Sequence, residues 1–326
     1  MREAWIITDG AAGNERQALA LAVALGAPAR VLALPLRAPW SWTAPRALPG
    51  GRLALAARDR AQFAAPWPQL VIGCGRSAAL LTRLLRGLSQ RHCHTVQILD
   101  PRIDPRHWDT VIAPRHDRLS GDNVIATLGS LNPVDDAWLA AGREAFSDLG
   151  TLPSPRIALL LGGPRRGVTF DEAYANALAD GVIARVSRDG GSVLATASRR
   201  TPSAFAQILR ERLAHLPGVF WRNDADGPNP YPGLLGWANR VVVTPDSVNM
   251  LSEAAATGAP AHTLVNASLP EKLARFHAAL RERDLLHDLE SDAAPPAMPL
   301  RETAQAAEQL RERIATHFSS SARHSG

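Results

Sequence analysis

Lysine is almost missing from this chain. Lys272 is the only one among 326 residues, so the other 35 of the 36 basic residues are arginine. A Walker A loop needs a lysine directly after its glycines. Lys272 lies in Pro-Glu-Lys-Leu, which excludes a P-loop nucleotidase. A protein kinase needs a strand lysine and a His-Arg-Asp loop, and neither occurs. Tyrosine is as scarce: Tyr174 and Tyr231 cannot supply the Tyr-x-x-x-Lys pair of short-chain dehydrogenases and sugar epimerases. No Gly-x-Ser-x-Gly elbow is present, so α/β-hydrolase chemistry lacks its nucleophile.

Cysteine is nearly absent too. Cys74 and Cys93 form no Cys-x-x-Cys pair and no disulfide framework. Neighbouring side chains in His92-Cys93-His94 point apart and have no second ligand cluster, so no metal is expected there. Long apolar runs are missing as well. A membrane helix needs roughly 18–20 apolar residues, and the nearest candidate, 18–25, is stopped by Gly26, Pro28 and Arg30. Glu3 and Asp9 interrupt what would be the apolar part of a leader. A cytoplasmic location is therefore expected.

What remains is an ordinary globular composition. Apolar residues make up 46% and charged residues 21%, which rules out disorder as the overall state. The length fits two domains. The net charge of +5 is spread out: residues 1–150 hold 17 basic and 13 acidic residues, and residues 151–326 hold 19 and 18. A nucleic-acid binder concentrates its cations on one stripe, so no nucleic-acid partner is expected. The excess favours an anionic substrate or surface, and the Trp- and Arg-rich segment 37–67 raises the expectation of a peripheral contact with the inner membrane.

Short apolar runs alternate with helical patterns, the signature of parallel sheets with crossover helices. Strands are expected over 5–8, 30–34, 70–72, 95–99, 110–112 and 123–127, with helices over 15–25, 53–63, 77–88 and 135–147. Gly150 and two prolines then read as a domain junction. A second series follows: strands over 156–161, 192–196, 218–221, 240–243 and 261–265, with helices over 171–188, 203–213, 233–238, 248–257 and 271–283. A last helix is expected over 302–317. The fold class is two tandem Rossmann-like, doubly wound parallel-sheet domains with an interdomain cleft. Their expected bounds are 1–150 and 151–318, with a disordered tail over 319–326.

Ligands of such sheets gather at the carboxyl ends of strands. The strongest segment is 241–260, where an apolar strand runs into Thr244-Pro245-Asp246-Ser247. A helix start there, with Thr244 as cap, can bind phosphate through its backbone amides. Spacings of three and seven place Met250 and Asp246 on the helical face of Glu253, whose carboxylate suits vicinal hydroxyls. Ser198, Arg199, Arg200 and Thr201 follow another strand, and their arginines can neutralise a diphosphate. Gly162 and Gly163 permit close approach to the backbone. In Asn229-Pro230-Tyr231, the tyrosine can cover a base or sugar. In the first half, Asp9, Gly10, Gly13, Asn14 and Gln17 form a tight polar loop without the full Gly-x-Gly-x-x-Gly. Gly73, Gly75 and Arg76, and then Asp100, lie in analogous loops. His116 is a candidate general base.

Taken together and in this order, the loops resemble the bacterial relatives of the plant mitochondrial-fission "elongated mitochondria" factor. The matching motifs are Thr8-Asp-Gly-x-x-Gly-Asn-x-x-Gln17, Ile72-Gly-x-Gly-Arg76, Ser198-Arg-Arg-Thr-Pro202, Asn229-Pro-Tyr231 and Thr244-x-Asp-Ser-x-x-Met-x-x-Glu-Ala254. That family looks like GT-B glycosyltransferases. The resemblance implies a nucleotide-sugar co-substrate on the second domain and an acceptor on the first, with no cofactor. Glu253 would hold the donor ribose, and residues 244–247 and 198–200 would face its diphosphate. Gly162 and Gly163 would line the cleft. Asp9 or His116 would deprotonate the acceptor, itself a cell-envelope or lipid-linked molecule. Two other readings stay open: a non-catalytic adaptor on the same fold, since the plant relatives are described as recruiting a dynamin-like protein, and an NAD(P)-dependent epimerase, which the missing Tyr-x-x-x-Lys opposes.

Overall fold

A computed structural model of the chain describes residues 3–323. Two six-stranded sheets dominate it, and every paired strand runs parallel to its neighbour. The first contains β1 (Ala4–Thr8), β2 (Ala29–Ala33), β3 (Leu70–Cys74), β4 (His94–Ile98), β5 (Thr110–Pro114) and β6 (Val124–Thr127) in the order β2-β1-β3-β4-β5-β6. The second contains β7 (Arg156–Leu161), β8 (Ser192–Ala197), β9 (Gly218–Trp221), β10 (Arg240–Val243), β11 (Ala261–Thr263) and β12 (His287–Asp288) in the order β12-β11-β10-β7-β8-β9.

The period of two along each strand explains the double winding. Ile6, Leu70 and Ile72 pack on one face of the first sheet with Leu21 and the last helix, Glu302–Arg323. Trp5, Ile7 and Val71 pack on the other with Leu81 and Leu85 of helix Arg76–Leu88. In the second sheet Ile157, Leu159 and Val193 meet helices Glu172–Asp189 and Ser203–Leu213, while Leu194 meets Leu234 behind it. Side-chain caps fix the helix starts: Asp135 accepts from Trp138 N at 2.7 Å and Asp171 from Tyr174 N at 2.8 Å. Each cap contributes about 1 kcal/mol.

Contacts divide the chain differently from the expected bounds. One unit is Met1–Pro133 with Glu302–Gly326, and the other is Val134–Arg301. Helix Asp136–Ala145 precedes the Gly/Pro junction but packs in the second unit. A Cβ on its Gly142 would stand 2.4 Å from Pro232 O, beside helix Tyr231–Trp237. The last helix returns to the first unit, where the Glu302 carboxylate accepts from Leu128 N at 2.7 Å and Gly129 N at 3.0 Å. That helix continues through Arg323, so the expected disorder is corrected over 319–323, and residues 324–326 lie outside the described residues. The helix expected over 53–63 is split as well: Gly51–Ala54 is a 3-10 turn, Leu55 and Ala56 are extended, and only Ala57–Gln62 is α-helical. Leu55 is drawn into the core, which breaks the helix there.

No helix among the described residues is long and apolar enough to cross a membrane.

Candidate functional site

Each sheet reverses its strand order once, and ligands of doubly wound folds bind at that reversal. It falls between β1 and β3 in the first unit and between β7 and β10 in the second.

In the second unit the buried run of β10 ends at Thr244, whose N–H donates to Leu160 O at 3.1 Å. Thr244 Oγ1 accepts from Gly162 N at 2.8 Å and donates to Asp246 Oδ1 at 2.7 Å. Asp246 Oδ2 accepts from Gly163 N at 3.0 Å. Burial raises the Asp246 carboxyl above the usual range, against the pull of the Gly163 amide, the Thr244 hydroxyl and Arg200. Arg200 Nη2 lies 3.3 Å from Asp246 Oδ2, and Arg165 Nη1 donates to Asp246 O at 2.7 Å. A Cβ on Gly162 would come within 2.2 Å of Asp246 Oδ1, and one on Gly163 within 2.5 Å of Arg200 O. The two glycines are therefore needed for contact between loops of their own unit, where the sequence reading had assigned them to a ligand or a cleft.

Helix Val248–Ala256 starts later than expected. Ser247, not Thr244, is its cap and accepts from Met250 N at 3.3 Å. Asp246 thus precedes the helix and shares no helical face with Glu253. Glu253 is 3% exposed, and the Tyr231 hydroxyl donates to its Oε2. Tyr231 is itself buried, so its ring is no open cover for a base. Asn229 Oδ1 accepts from Tyr231 N at 3.0 Å and shapes the turn into helix Tyr231–Trp237. Met250 is half-buried.

After β8, Ser198 Oγ donates to Gly162 O at 3.0 Å, and Thr201 Oγ1 donates to Leu161 O at 2.9 Å and to Gly162 O. These hydroxyls brace the loop. What it shows to solvent is Arg199 and Arg200, with Arg165 and Arg166 exposed after β7. The reversal in the second unit is thus an internally bonded platform with arginines at its rim. The sequence reading missed the parts played by Arg165 and by His277, whose Nε2 lies 2.9 Å from Pro245 O. Arg165 was visible in the Gly-Gly-Pro-Arg-Arg run; nothing in the sequence marks His277.

The first unit's reversal is built differently. Thr8 Oγ1 accepts from Gly10 N at 3.0 Å, and Asp9 Oδ1 accepts from Ala11 N at 3.0 Å and Asn14 Nδ2 at 3.4 Å. Asp9 is exposed. Gly10 has φ +84° with open space where a Cβ would go. A Cβ on Gly75, at φ +89°, would stand 2.5 Å from Asn14 Nδ2 and 3.7 Å from Asp9 Oδ2, so these loops converge. Beneath them Gln17 is buried, its Nε2 3.4 Å from Gly13 O, and Gln97 Nε2 donates to Gly75 O at 3.3 Å. A Cβ on Gly73 would meet Gln97 Oε1 at 3.2 Å. Arg76 is exposed and donates to Ser41 O at 3.2 Å. Asp100 Oδ1 accepts from Arg102 N at 2.7 Å in a turn after β4.

His116 does not join this group. It follows β5, and β3 and β4 separate that strand from β1. At the usual strand spacing the gap is about 14 Å. Its imidazole is buried, with Nε2 3.6 Å from Asp117 Oδ1.

His94, Asp109 and His317 bring ligand atoms within 4.8 Å of one another at the amino ends of β4 and β5. Burial alone would raise the Asp109 carboxyl, but hydrogen bonds from Arg86 and Thr95 hold it below the usual range. Those bonds already occupy both oxygens, with Arg86 Nη2 at 2.7 Å from Oδ1 and Thr95 Oγ1 at 2.7 Å from Oδ2. The cluster seats the last helix, and Arg86 opposes a second cation there.

The family model described as Mitochondrial fission ELM1 matches residues 12–314. A curated relative, the mitochondrial fission protein ELM1 of Arabidopsis thaliana, is 31% identical over 278 residues, which is 76% of this chain and 64% of that protein. The chain thus spans under two thirds of that relative's length. Among solved structures, a UDP-N-acetylglucosamine 2-epimerase from Listeria monocytogenes aligns over 98% of this chain and 97% of its own, at 13% identity and TM-score 0.55. MurG of Acinetobacter baumannii aligns over 99% and 95%, at 13% identity and TM-score 0.50. Identities this low speak for the fold alone, two Rossmann-like domains of the GT-B type. With the family model matching nearly the whole chain, the protein belongs to the mitochondrial fission ELM1 family.

Proposed function

We propose that the chain is a glycosyltransferase: it binds a nucleoside-diphosphate sugar through the second unit and passes the sugar to a cell-envelope or lipid-linked acceptor held by the first. One observation carries this reading. Arg165, Arg166, Arg199 and Arg200 are exposed beside a helix start capped by Ser247, at the strand-order reversal. Arginines and helix amides stabilise the charge that grows on a departing diphosphate. The acceptor oxygen bonds to the anomeric carbon as the bond from that carbon to the diphosphate oxygen breaks, and the diphosphate keeps the bonding electrons. The acceptor's proton goes to the exposed carboxylate of Asp9, which is better placed for this than the buried His116. On this reading Glu253, which accepts from the Tyr231 hydroxyl, is the carboxylate that meets the donor ribose.

Calorimetric titration with UDP, GDP, ADP, CMP and their sugar conjugates tests the reading. UDP compounds come first, because one neighbour of this fold is named for UDP-N-acetylglucosamine. One nucleotide should bind, and Glu253→Ala should weaken it by roughly 1–3 kcal/mol. Mass spectrometry of the products separates sugar transfer from epimerisation. If no nucleotide binds, the reading fails.

A second reading has its own observation. The Gly162 and Gly163 amides, which a diphosphate would otherwise use, are already taken by Thr244 and Asp246. A non-catalytic adaptor on this fold has no use for free amides there. It predicts no nucleotide affinity and loss of function from changes on the exposed surface.

A further inference from the structure

Between Glu15 and Asp59 the chain contains no acidic residue. It carries six arginines there: Arg16, Arg30, Arg37, Arg46, Arg52 and Arg58. At the chain's own average, 31 acidic residues in 326, such a stretch would hold about four. All six arginines are exposed. The stretch also contains four of the six large hydrophobic side chains that stand furthest into solvent among the described residues: Val23, Val31, Trp42 and Leu53, the others being Val265 and Met298. Single exposed hydrophobics are normal on a protein surface. Their gathering with cations along a stretch without carboxylates is not; the next such stretch, 60–99, holds none of the six.

The fold holds this surface firmly. β2 is the edge strand of the first sheet, and the chain leaves it through a knob formed by helix Trp40–Thr43 and the turn Gly51–Ala54. Ala44, Ala54, Leu55 and Phe63 are buried and anchor the segment. A Cβ on Gly51 would stand 2.6 Å from Leu84 Cδ2, so the turn is pressed on helix Arg76–Leu88. Arg37 N donates to Ala54 O at 2.8 Å and closes the base. The segment that plugs Leu55 into the core leaves Trp42 76% and Leu53 51% exposed. Ser41 O accepts from Arg76, which follows Gly75 and the crevice of Asp9 and Asn14. The knob therefore borders the first unit's candidate acceptor site.

We propose that the β2 edge and this knob seat the first unit on an anionic lipid bilayer, with Trp42 and Leu53 in the headgroup layer. The acceptor then reaches the crevice of Asp9 and Gly75 from that bilayer, a step that rests on the glycosyltransferase reading. The seat itself rests on the surface alone. Exposed tryptophan among arginines matches the interfacial layer of a membrane, where the ring lies at headgroup depth and the cations meet lipid phosphates.

The test is flotation of the full chain with phosphatidylcholine vesicles and with vesicles that also contain phosphatidylglycerol, at low and high salt. Binding to the mixed vesicles at low salt is expected, with loss at high salt as the lipid charge is screened. Each arginine near such a surface adds about a fivefold gain in partition, so Arg37→Gln/Arg46→Gln/Arg52→Gln should cost about a hundredfold. Trp42→Ser/Leu53→Ser should cost about tenfold or more. Val265→Ser/Met298→Ser, in the second unit, should change nothing. All of these side chains are exposed, and matching thermal melts show that the variants remain folded. Absence of binding to the mixed vesicles at low salt overturns the seat. So does binding that ignores Trp42→Ser/Leu53→Ser and follows salt alone, which would assign the arginines to a soluble polyanion. Nucleotide titration of the same proteins reads the second unit. Nucleotide binding without vesicle binding overturns only the seat, and vesicle binding without nucleotide binding overturns only the transfer.

Discussion

Where β1 gives way to β3, the carboxylate of Asp9 is exposed and Gly10 has open space around it. Where β7 meets β10, the carboxylate of Asp246 is 1% exposed, and the Gly163 amide and the Thr244 hydroxyl hold it. The two units share a way of winding and differ in what they do with the same crevice. In the first, a polar side chain stays available and its loop leans on one asparagine. In the second, the polar groups are consumed in bracing three loops, and only arginines and a helix start remain for a ligand. Burial and mutual bonding give a platform fixed before any ligand arrives, which suits a constant part such as a diphosphate. An open loop suits a partner that varies.

Acid should separate the units most. Burial pushes the pKa of His262 and His277 in the second unit, and of His94 in the first, down to about 4. Unfolded, each titrates near 6.5, so the unfolded chain binds more protons between those values. The stability gained by keeping them neutral is therefore complete above about pH 6.5 and lost as the pH falls towards 4. Each histidine is worth about 3 kcal/mol at most. Asp246, raised by burial, gains as the pH falls and softens the difference. Hydrogen exchange followed unit by unit should show the second opening first, and the reverse order would break the comparison.

Substitutions at the reversals come next. Gly162→Ala should cost the second unit about 3 kcal/mol, because the new methyl collides with a fixed carboxylate. Gly10→Ala meets no atom and should cost only the backbone strain of its positive φ, about 1 kcal/mol. Denaturant melts decide; equal costs would mean that the second platform yields as easily as the first loop. Asp246→Ala falls between them at about 2 kcal/mol, since it leaves the Gly163 amide without its acceptor. The smallest effect on stability is that of Asp9→Asn, within about 0.5 kcal/mol for an exposed site. On the proposed reading it nonetheless removes most of the transfer activity.

Much of this was legible in the sequence. The runs at 157–161 and 241–243 are apolar throughout, and 193–197 is apolar but for Thr196, because a parallel strand is covered on both faces, and this made the sheets readable. The loops of Asp9, Gly75, Ser198 and Thr244 stood out because strand ends put them there. Contacts between distant segments were not legible. The helix at 136–145 belongs to the second unit because Gly142 fits against Pro232, and neither residue announces the other. The pairing of Tyr231 with Glu253 turned an expected lid into a buried brace. His317 lies far from His94 and Asp109 in the chain and meets them only when the last helix docks.

The most direct measurement is calorimetric titration of UDP and its sugar conjugates into the intact chain and into Arg199→Ala/Arg200→Ala. Each lost charged hydrogen bond is worth roughly 1.5–3 kcal/mol. The account predicts saturable binding that weakens by at least about tenfold in the double variant while a cooperative melt shows that the variant remains folded. No heat of binding from these or any other common nucleotide would contradict it.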